Sequence, residues 1–366
     1  MENSEFLKEQ LITYLGNKRS LLIFIDGVTK IVKEELNKEK IKVLDGFSGS
    51  GCVARYMKQH ASLLVTNDLE KYSYVINDSF LKNKCEVDMN TINHYVELLN
   101  NTKFRTDLGV GIIEKNYSPR DTKNPQIGER CFYTNENAKI IDNIRRTIDK
   151  EVPEKYKNIF LSLLIYKASV HTNTSGVFKG FYKGLQSPIG KFGGEKENAL
   201  TRILGEIKLE SIVLSDNECE RLHYRKDINE LIGELDEMDL VYYDPPYNQH
   251  PYGSNYHMLN TIIDYVEPQE LSEVAGIPKK WNKSNYNKKK DAVVSFDDLI
   301  QNTKSKYIMI SYNNEGFISY NDMMKICNKK GDVRIFDEEY SAYKASRNLK
   351  DRNIKVTEFI FLIKSK

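Results

Sequence analysis

Residues 41–54 read Ile-Lys-Val-Leu-Asp-Gly-Phe-Ser-Gly-Ser-Gly-Cys-Val-Ala. A short apolar run, 41–44, ends in an acid, passes through three closely spaced glycines and opens onto an amphipathic stretch, 53–60. That is the grammar of a buried strand, a tight turn and a helix. Four more runs of the same kind lie further along: 63–66 (LLVT), 239–243 (DLVYY), 307–310 (YIMI) and 359–363 (FIFLI). Each is short, apolar and rich in β-branched or aromatic residues, as expected of buried parallel strands. Amphipathic stretches such as 72–84 intervene, so the chain reads as an open α/β sheet.

The ends of these runs point to a site. The first ends in Asp45, the second in Asn67-Asp68, the third in Asp244 and the fourth in Ser311-Tyr312-Asn313-Asn314. Ligands of open α/β sheets bind beyond the carboxyl ends of the strands, so four polar clusters there outline one crevice. Gly49-Ser50-Gly51-Cys52-Val53-Ala54 also fits the GxGxxG/A dinucleotide pattern, and Asp68 lies 19 residues after Gly49, the spacing of a ribose-binding acid. These residues predict an adenosine-containing cofactor. They leave open whether it is NAD or S-adenosylmethionine.

Asp244-Pro245-Pro246-Tyr247 leans toward the second. Two prolines stiffen the loop and remove two N–H donors. A carboxylate, a rigid carbonyl and an aromatic face suit a planar group bearing an NH2, and a dehydrogenase has no use for that set. Near the N-terminus, Lys18 of Tyr14-Leu15-Gly16-Asn17-Lys18 could pair with the carboxylate of a methionine moiety.

The chain has 366 residues, enough for two or three domain-sized pieces. Lys plus Arg number 54 and Asp plus Glu 52, a formal net charge of +2, so basic surface must come from placement. Residues 279–290 hold six lysines and no acid. Residues 167–196 hold five lysines against Glu195, and residues 341–355 hold Lys344, Arg347, Lys350, Arg352 and Lys355 against Asp351. Any one such run is usually a solvated face. Between 169 and 195 the chain turns Gly-rich, aromatic and basic. Phe178, Phe181 and Tyr182, interleaved with Lys179 and Lys183, could form a small core; were the chain to bind nucleic acid, they could stack bases. The apolar runs are too short to span a bilayer, no signal-peptide core opens the chain, and the five cysteines form neither a zinc pattern nor a disulfide framework. A soluble, cytoplasmic protein without a metal site is expected.

With these motifs in order, the sequence resembles Dam-like DNA adenine methyltransferases of the alpha group, of the kind found in restriction-modification systems. Tyr14-x-x-x-Lys18, Asp45-Gly46-Phe47-Ser48-Gly49-Ser50-Gly51, Asn67-Asp68, Lys226-Asp227-Ile228, Asp244-Pro245-Pro246-Tyr247, Asn255-Tyr256-His257 and Ser311-Tyr312-Asn313-Asn314-Glu315 carry the likeness, and residues 172–183 resemble a Gly/aromatic segment of the same family. Ile228 stands where close relatives commonly have Phe. The resemblance implies a Rossmann-like, S-adenosylmethionine-dependent α/β sheet formed by residues 1–84 and 211–366. It also implies an inserted, mainly helical or irregular target-recognition region at 85–210. It implies methyl transfer to the exocyclic amino nitrogen of adenine flipped out of double-stranded DNA, with a cognate restriction endonuclease as a possible companion. The implied catalytic residues are Asp244, Pro245, Pro246 and Tyr247. The implied cofactor residues are Tyr14, Lys18, Asp45, Phe47, Gly49, Gly51, Asp68, Asp227, Ile228 and Asp244. DNA contacts are expected from Lys179, Phe181, Lys183, Asn255, Tyr256 and Lys283. Competing readings are amino-methylation of cytosine, an NAD-dependent oxidoreductase using the turn at 49–54, and a non-catalytic DNA-binding protein.

Overall fold

A computed structural model describes residues 2–102, 105, 107–197, 199–341 and 355–366. The basic cluster at Lys344, Arg347, Lys350 and Arg352 lies outside the described residues, as does the side chain of Lys355. Seven strands form one sheet: β1 Ile41–Asp45, β2 Ala61–Asn67, β3 Glu220–Tyr224, β4 Met238–Tyr243, β5 Ser305–Asn313, β6 Gly331–Ser341 and β7 Lys355–Ser365. Their order is β3-β2-β1-β4-β5-β7-β6. The pairs among β1 to β5 are parallel, and β7 runs antiparallel between β5 and β6. This corrects the expectation of a parallel strand at 359–363. Buried on both faces, β7 carries the same apolar run as its parallel neighbours, so composition does not reveal its direction.

Side chains alternate across the sheet with the period of two that a strand imposes. On one face Val43, Leu64, Tyr242, Met309 and Leu362 join a core completed by the helices Leu22–Leu36 and Lys71–Phe80. On the other, Leu44, Val65, Val241, Ile308 and Phe361 pack under the helices Lys289–Asn302 and Tyr320–Lys330. Within Lys71–Phe80, Tyr72, Val75, Ile76 and Phe80 fall on one stripe and are all buried. The segment 85–210 contributes the long helices Asn135–Glu151 and Glu154–Val170. Ile144, Ile148, Ile159, Phe160 and Leu164 are fully buried in the first face's core, so these helices are built onto the sheet layer. From 171 to 195 the chain makes turns around Asn173, whose amide donates to the Cys131 carbonyl (2.9 Å) and accepts from the Gly193 amide (3.0 Å).

The chain leaves β1 toward β2 and β3, then returns to place β4 on the other side of β1. The order reverses between β1 and β4, and the crevice opens at their carboxyl ends. No helix among the described residues is long and apolar enough to cross a membrane.

Candidate active site

The turn after β1 is held from three sides. The Gly46 amide donates to the Tyr242 carbonyl at 3.0 Å, and the Ser48 amide donates to the Asn67 carbonyl at 2.9 Å. The Asn77 amide donates to Ser48 Oγ at 3.0 Å. Gly49 and Gly51 take φ of +49° and +76°, and a Cβ on Gly49 would stand 2.9 Å from the Tyr14 ring. Only glycine combines that backbone with that approach. Phe47 packs edge-on against Tyr286, centroids 5.1 Å apart. Asp45 is buried beneath the turn, and its carboxyl is raised well above the usual range by burial and by Asp244 and Asp68.

At the end of β2, Asn67 locks neighbouring turns. Its side chain donates to the carbonyls of Gly46 (3.3 Å) and Lys226 (3.1 Å) and accepts from the Lys226 amide (3.1 Å). Asp68 accepts from the amides of Gly49 (2.8 Å) and Glu70 (2.9 Å), and burial raises its pKa. Glu70 is only 3% exposed, accepts from Asn260 at 2.6 Å and is pushed up to about 7, by burial first and then by Asp68. Asp227 caps the short helix Ile228–Leu231 through the Asn229 amide at 3.0 Å, placing the buried Ile228 beside it.

The N-terminal segment enters through a stack of tyrosines. Tyr14 stacks on both Tyr252 (5.0 Å, 16°) and Tyr256 (4.8 Å, 21°), whose own centroids are 6.1 Å apart, and its hydroxyl meets that of Tyr72 at 3.1 Å. The Leu15 amide donates to the Tyr256 hydroxyl, and the Tyr252 hydroxyl donates to the Leu15 carbonyl. Such ring pairs contribute about 0.5–1.5 kcal/mol each beyond their burial. The segment delivers Lys18, 4% exposed, to the corner after β4. There its ammonium sits 3.0 Å from Asp244 and 3.0 Å from Glu358 of β7. Burial works against the lysine's charge, but Asp244 and Glu358 more than offset it, and its pKa is raised. Lys18 therefore braces two carboxylates of the protein at this corner. Asp244 is pushed up to about 6, by burial first, with Lys18 pulling it down and Glu358 pushing it up. Tyr247 is half-buried, edge-on to Tyr312 at 6.4 Å, and its carbonyl accepts from the Phe317 amide at 3.1 Å.

One crevice thus gathers Tyr14, Phe47, Gly49, Asp68, Asp227, Ile228, Asp244 and Pro246 on its wall. Lys18, Asp45, Gly51, Pro245 and Tyr247 stand around it without being part of that lining. The expected DNA contacts divide. Lys179 and Lys283 are exposed, and Lys183 lies with its ammonium 5.5 Å from the Phe181 ring. Phe181 itself packs edge-on to Phe132 at 5.2 Å, and Phe178 is core at 2% exposure. Asn255 and Tyr256 are 3% and 0% exposed, and Tyr256 stacks on Tyr14. Sequence reasoning missed Glu70, Tyr252 and the strap Asn282, Ser284, Tyr286 and Asn287, which complete the crevice wall. It also missed Glu358. The signals were present: aromatics inside the polar run 281–287, and one acid heading the apolar run of β7.

A Rossmann-like sheet with antiparallel β7, a Gly-rich turn after β1 and the Asp-Pro-Pro-Tyr corner after β4 define an amino-directed methyltransferase class. The family model for D12 class N6 adenine-specific DNA methyltransferases matches residues 14–326, and the chain belongs to that family. It is 30% identical over 349 residues to the type II methyltransferase M.NlaIII of Neisseria lactamica, covering 94% of this chain and 96% of that protein. It is 27% identical over 358 residues to the type II methyltransferase M.CviAII of Paramecium bursaria Chlorella virus 1, covering 96% and 98%. To M.FokI of Planomicrobium okeanokoites it is 29% identical over 364 residues, 96% of this chain but 52% of that protein, so it spans about half of that longer relative. The protein is an adenine-specific N6 DNA methyltransferase of the restriction-modification kind, and the cytosine and nicotinamide readings are set aside.

Proposed function

We propose that the protein transfers the methyl group of S-adenosylmethionine to the exocyclic nitrogen of an adenine extruded from duplex DNA, with chemistry centred on Asp244, Pro245, Pro246 and Tyr247. The observation that carries this reading is the shared crevice of Asp244, Asp68 and the Gly49 turn. Its donor set fits the cofactor. Phe47, Ile228 and Tyr286 make an apolar slot for a purine beside Asp227, Asp68 suits a ribose diol, and Asp68, Glu70 and Asp244 line a space suited to a cationic sulfur, with Asp45 buried behind it. Bound there, the sulfonium supplies an electrophilic methyl group.

The remaining work belongs to the protein. The adenine amino nitrogen is a poor nucleophile because its lone pair is delocalised into the ring. The Asp244 carboxylate and the Pro245 carbonyl accept its two hydrogens, which favours a pyramidal nitrogen with its lone pair free. Tyr247 stacks on the base. Alignment and electrostatics supply the acceleration, and no strong base is needed before attack, since the proton leaves a nitrogen already made cationic. Extruding the base costs a few kcal/mol, offset by backbone contacts from the exposed lysines of 279–290 and from Lys179 and Lys183. Residues 85–210 serve as the target-recognition region. The setting is cytoplasmic, and a restriction endonuclease acting on the same DNA site is a possible companion. The test is incubation with labelled S-adenosylmethionine and a random-sequence duplex pool, followed by mapping of modified bases. N6-methyladenine at a defined motif is expected. Label on another base overturns the reading.

A further inference from the structure

Glu358 is the most completely enclosed carboxylate near the catalytic corner, at 0% exposure. It sits on β7 opposite Asn313 in the β5–β7 register. Its Oε1 accepts from Ser311 Oγ at 2.9 Å and meets Lys18 Nζ at 3.0 Å, while Oε2 has no hydrogen-bond partner among the described residues. Burying a carboxylate with one oxygen unpaired is costly unless something else is gained. The gain lies 3.0 Å beyond the shared ammonium, at Asp244.

We propose that Glu358 is a positioning residue for methyl transfer, dividing the charge of Lys18 so that Asp244 is held in place yet remains a strong acceptor for the substrate amino group. Lys18 comes from the N-terminal segment, just before the short turn Arg19–Leu21, and has no strand of its own to fix it. The paired strands β5 and β7 supply the rigid base through Ser311 and Glu358. With Glu358 neutral, the full ammonium charge would fall on Asp244, draw its lone pairs into the ion pair and weaken its grip on the amino hydrogens. Other groups facing Asp244 are Asp45 of β1, Tyr242 of β4, Tyr247 of its own loop, Tyr252, and Tyr312 of β5. Among the described residues, Lys18 is the cation within ion-pair distance of it. Removing the negative charge of Glu358 therefore lowers the Asp244 pKa, in keeping with its part in the present upward shift.

The inference rests on the assignment of Asp244 as the amino acceptor, and the test separates the two. Glu358→Gln, Glu358→Asp and Asp244→Ala are compared with wild type in single-turnover methyl transfer across pH. Cofactor and DNA affinities are measured alongside, and folding is checked by thermal melting. Glu358→Gln is expected to slow transfer by about tenfold or more, the scale for losing a partner that orients a reacting group, with both affinities held within about twofold. Its acidic limb should move to lower pH. Glu358→Asp, whose charge sits one methylene further back, should show a limb between those of Gln and wild type. Either folded variant with wild-type rate and limb overturns the proposal, as does slower transfer with an unmoved limb, which marks a merely structural residue. Should Glu358→Gln not fold, Glu358→Asp decides by the same criterion. An active Asp244→Ala would instead sink the underlying assignment.

Discussion

The strap 278–290 and the strand ends beneath it use charge in opposite ways. Asn282, Ser284, Tyr286 and Asn287 of the strap face the crevice, while Lys279, Lys280 and Lys283 of the same segment are exposed. Below, Asp45, Asp68, Glu70 and Asp244 are crowded and desolvated, and all four have raised pKa values. Buried like charges must be held by hydrogen bonds or by a shared cation, and they respond steeply to pH. Exposed lysines act through the ionic atmosphere and respond to salt. Neighbouring surfaces of one molecule should thus fail in different ways when altered.

The largest effect is expected at the corner. Asp244→Ala should lower single-turnover methyl transfer by about 10²–10³-fold or more, the scale for losing one preorganised transition-state interaction. DNA affinity should change little, because phosphates dominate it. Equal loss of binding and rate would blur the contrast between the two surfaces. Replacing Lys280, Lys283 and Lys290 together by Gln should reduce the slope of log K against log salt by about 2.7, at roughly 0.9 for each phosphate no longer neutralised. A salt slope identical to wild type would remove the strap from the DNA surface. A smaller change is expected from Asp68→Ala. Loss of charge-assisted hydrogen bonds to the ribose should weaken S-adenosylmethionine about tenfold or somewhat more. Calorimetry with an unchanged cofactor affinity would take Asp68 out of the site.

The acidic half of this contrast was far more legible in the sequence than the rest. β1, β2, β4 and β5 are buried on both faces, so they read as apolar runs, and the turns after them carry unusual chemistry at Gly49, Asp68 and Asp244. Edge strands lack that signal. β3 is Glu-Arg-Leu-His-Tyr, and β6 mixes Asp332, Arg334 and Asp337 with Val333 and Ile335, so neither run announces a strand. Tyr286 hides in a polar, lysine-rich stretch, and only folding reveals its ring against Phe47. Lys18 and Glu358 stand near opposite ends of the chain, and nothing local to either residue shows that they share an ion pair. Asn255 and Tyr256 come soon after the catalytic loop in sequence, yet both are buried, and Tyr256 stacks on Tyr14.

The finest distinction concerns which charge the carboxylates sense. Glu70 is pushed up to about 7 and Asp244 to about 6, in both cases chiefly by burial. A raised carboxyl pKa means the group is ionised above that value and neutral below it. Between pH 8 and pH 6 the crevice therefore loses negative charge. S-adenosylmethionine carries a sulfonium, and S-adenosylhomocysteine carries a neutral thioether with the same ribose, adenine, amine and carboxylate. The ratio of their affinities isolates the sulfur's charge and cancels the pH dependence the two ligands share. One carboxylate roughly 10 Å from the sulfur, at an effective dielectric near 20, contributes about 1–2 kcal/mol. Acidification over this range should accordingly weaken S-adenosylmethionine relative to S-adenosylhomocysteine by roughly fivefold or more. Titration calorimetry of both ligands at the two pH values measures it. Equal slopes for the two ligands would mean that these carboxylates are set for the fold or for the adenine amine and do not register the sulfonium.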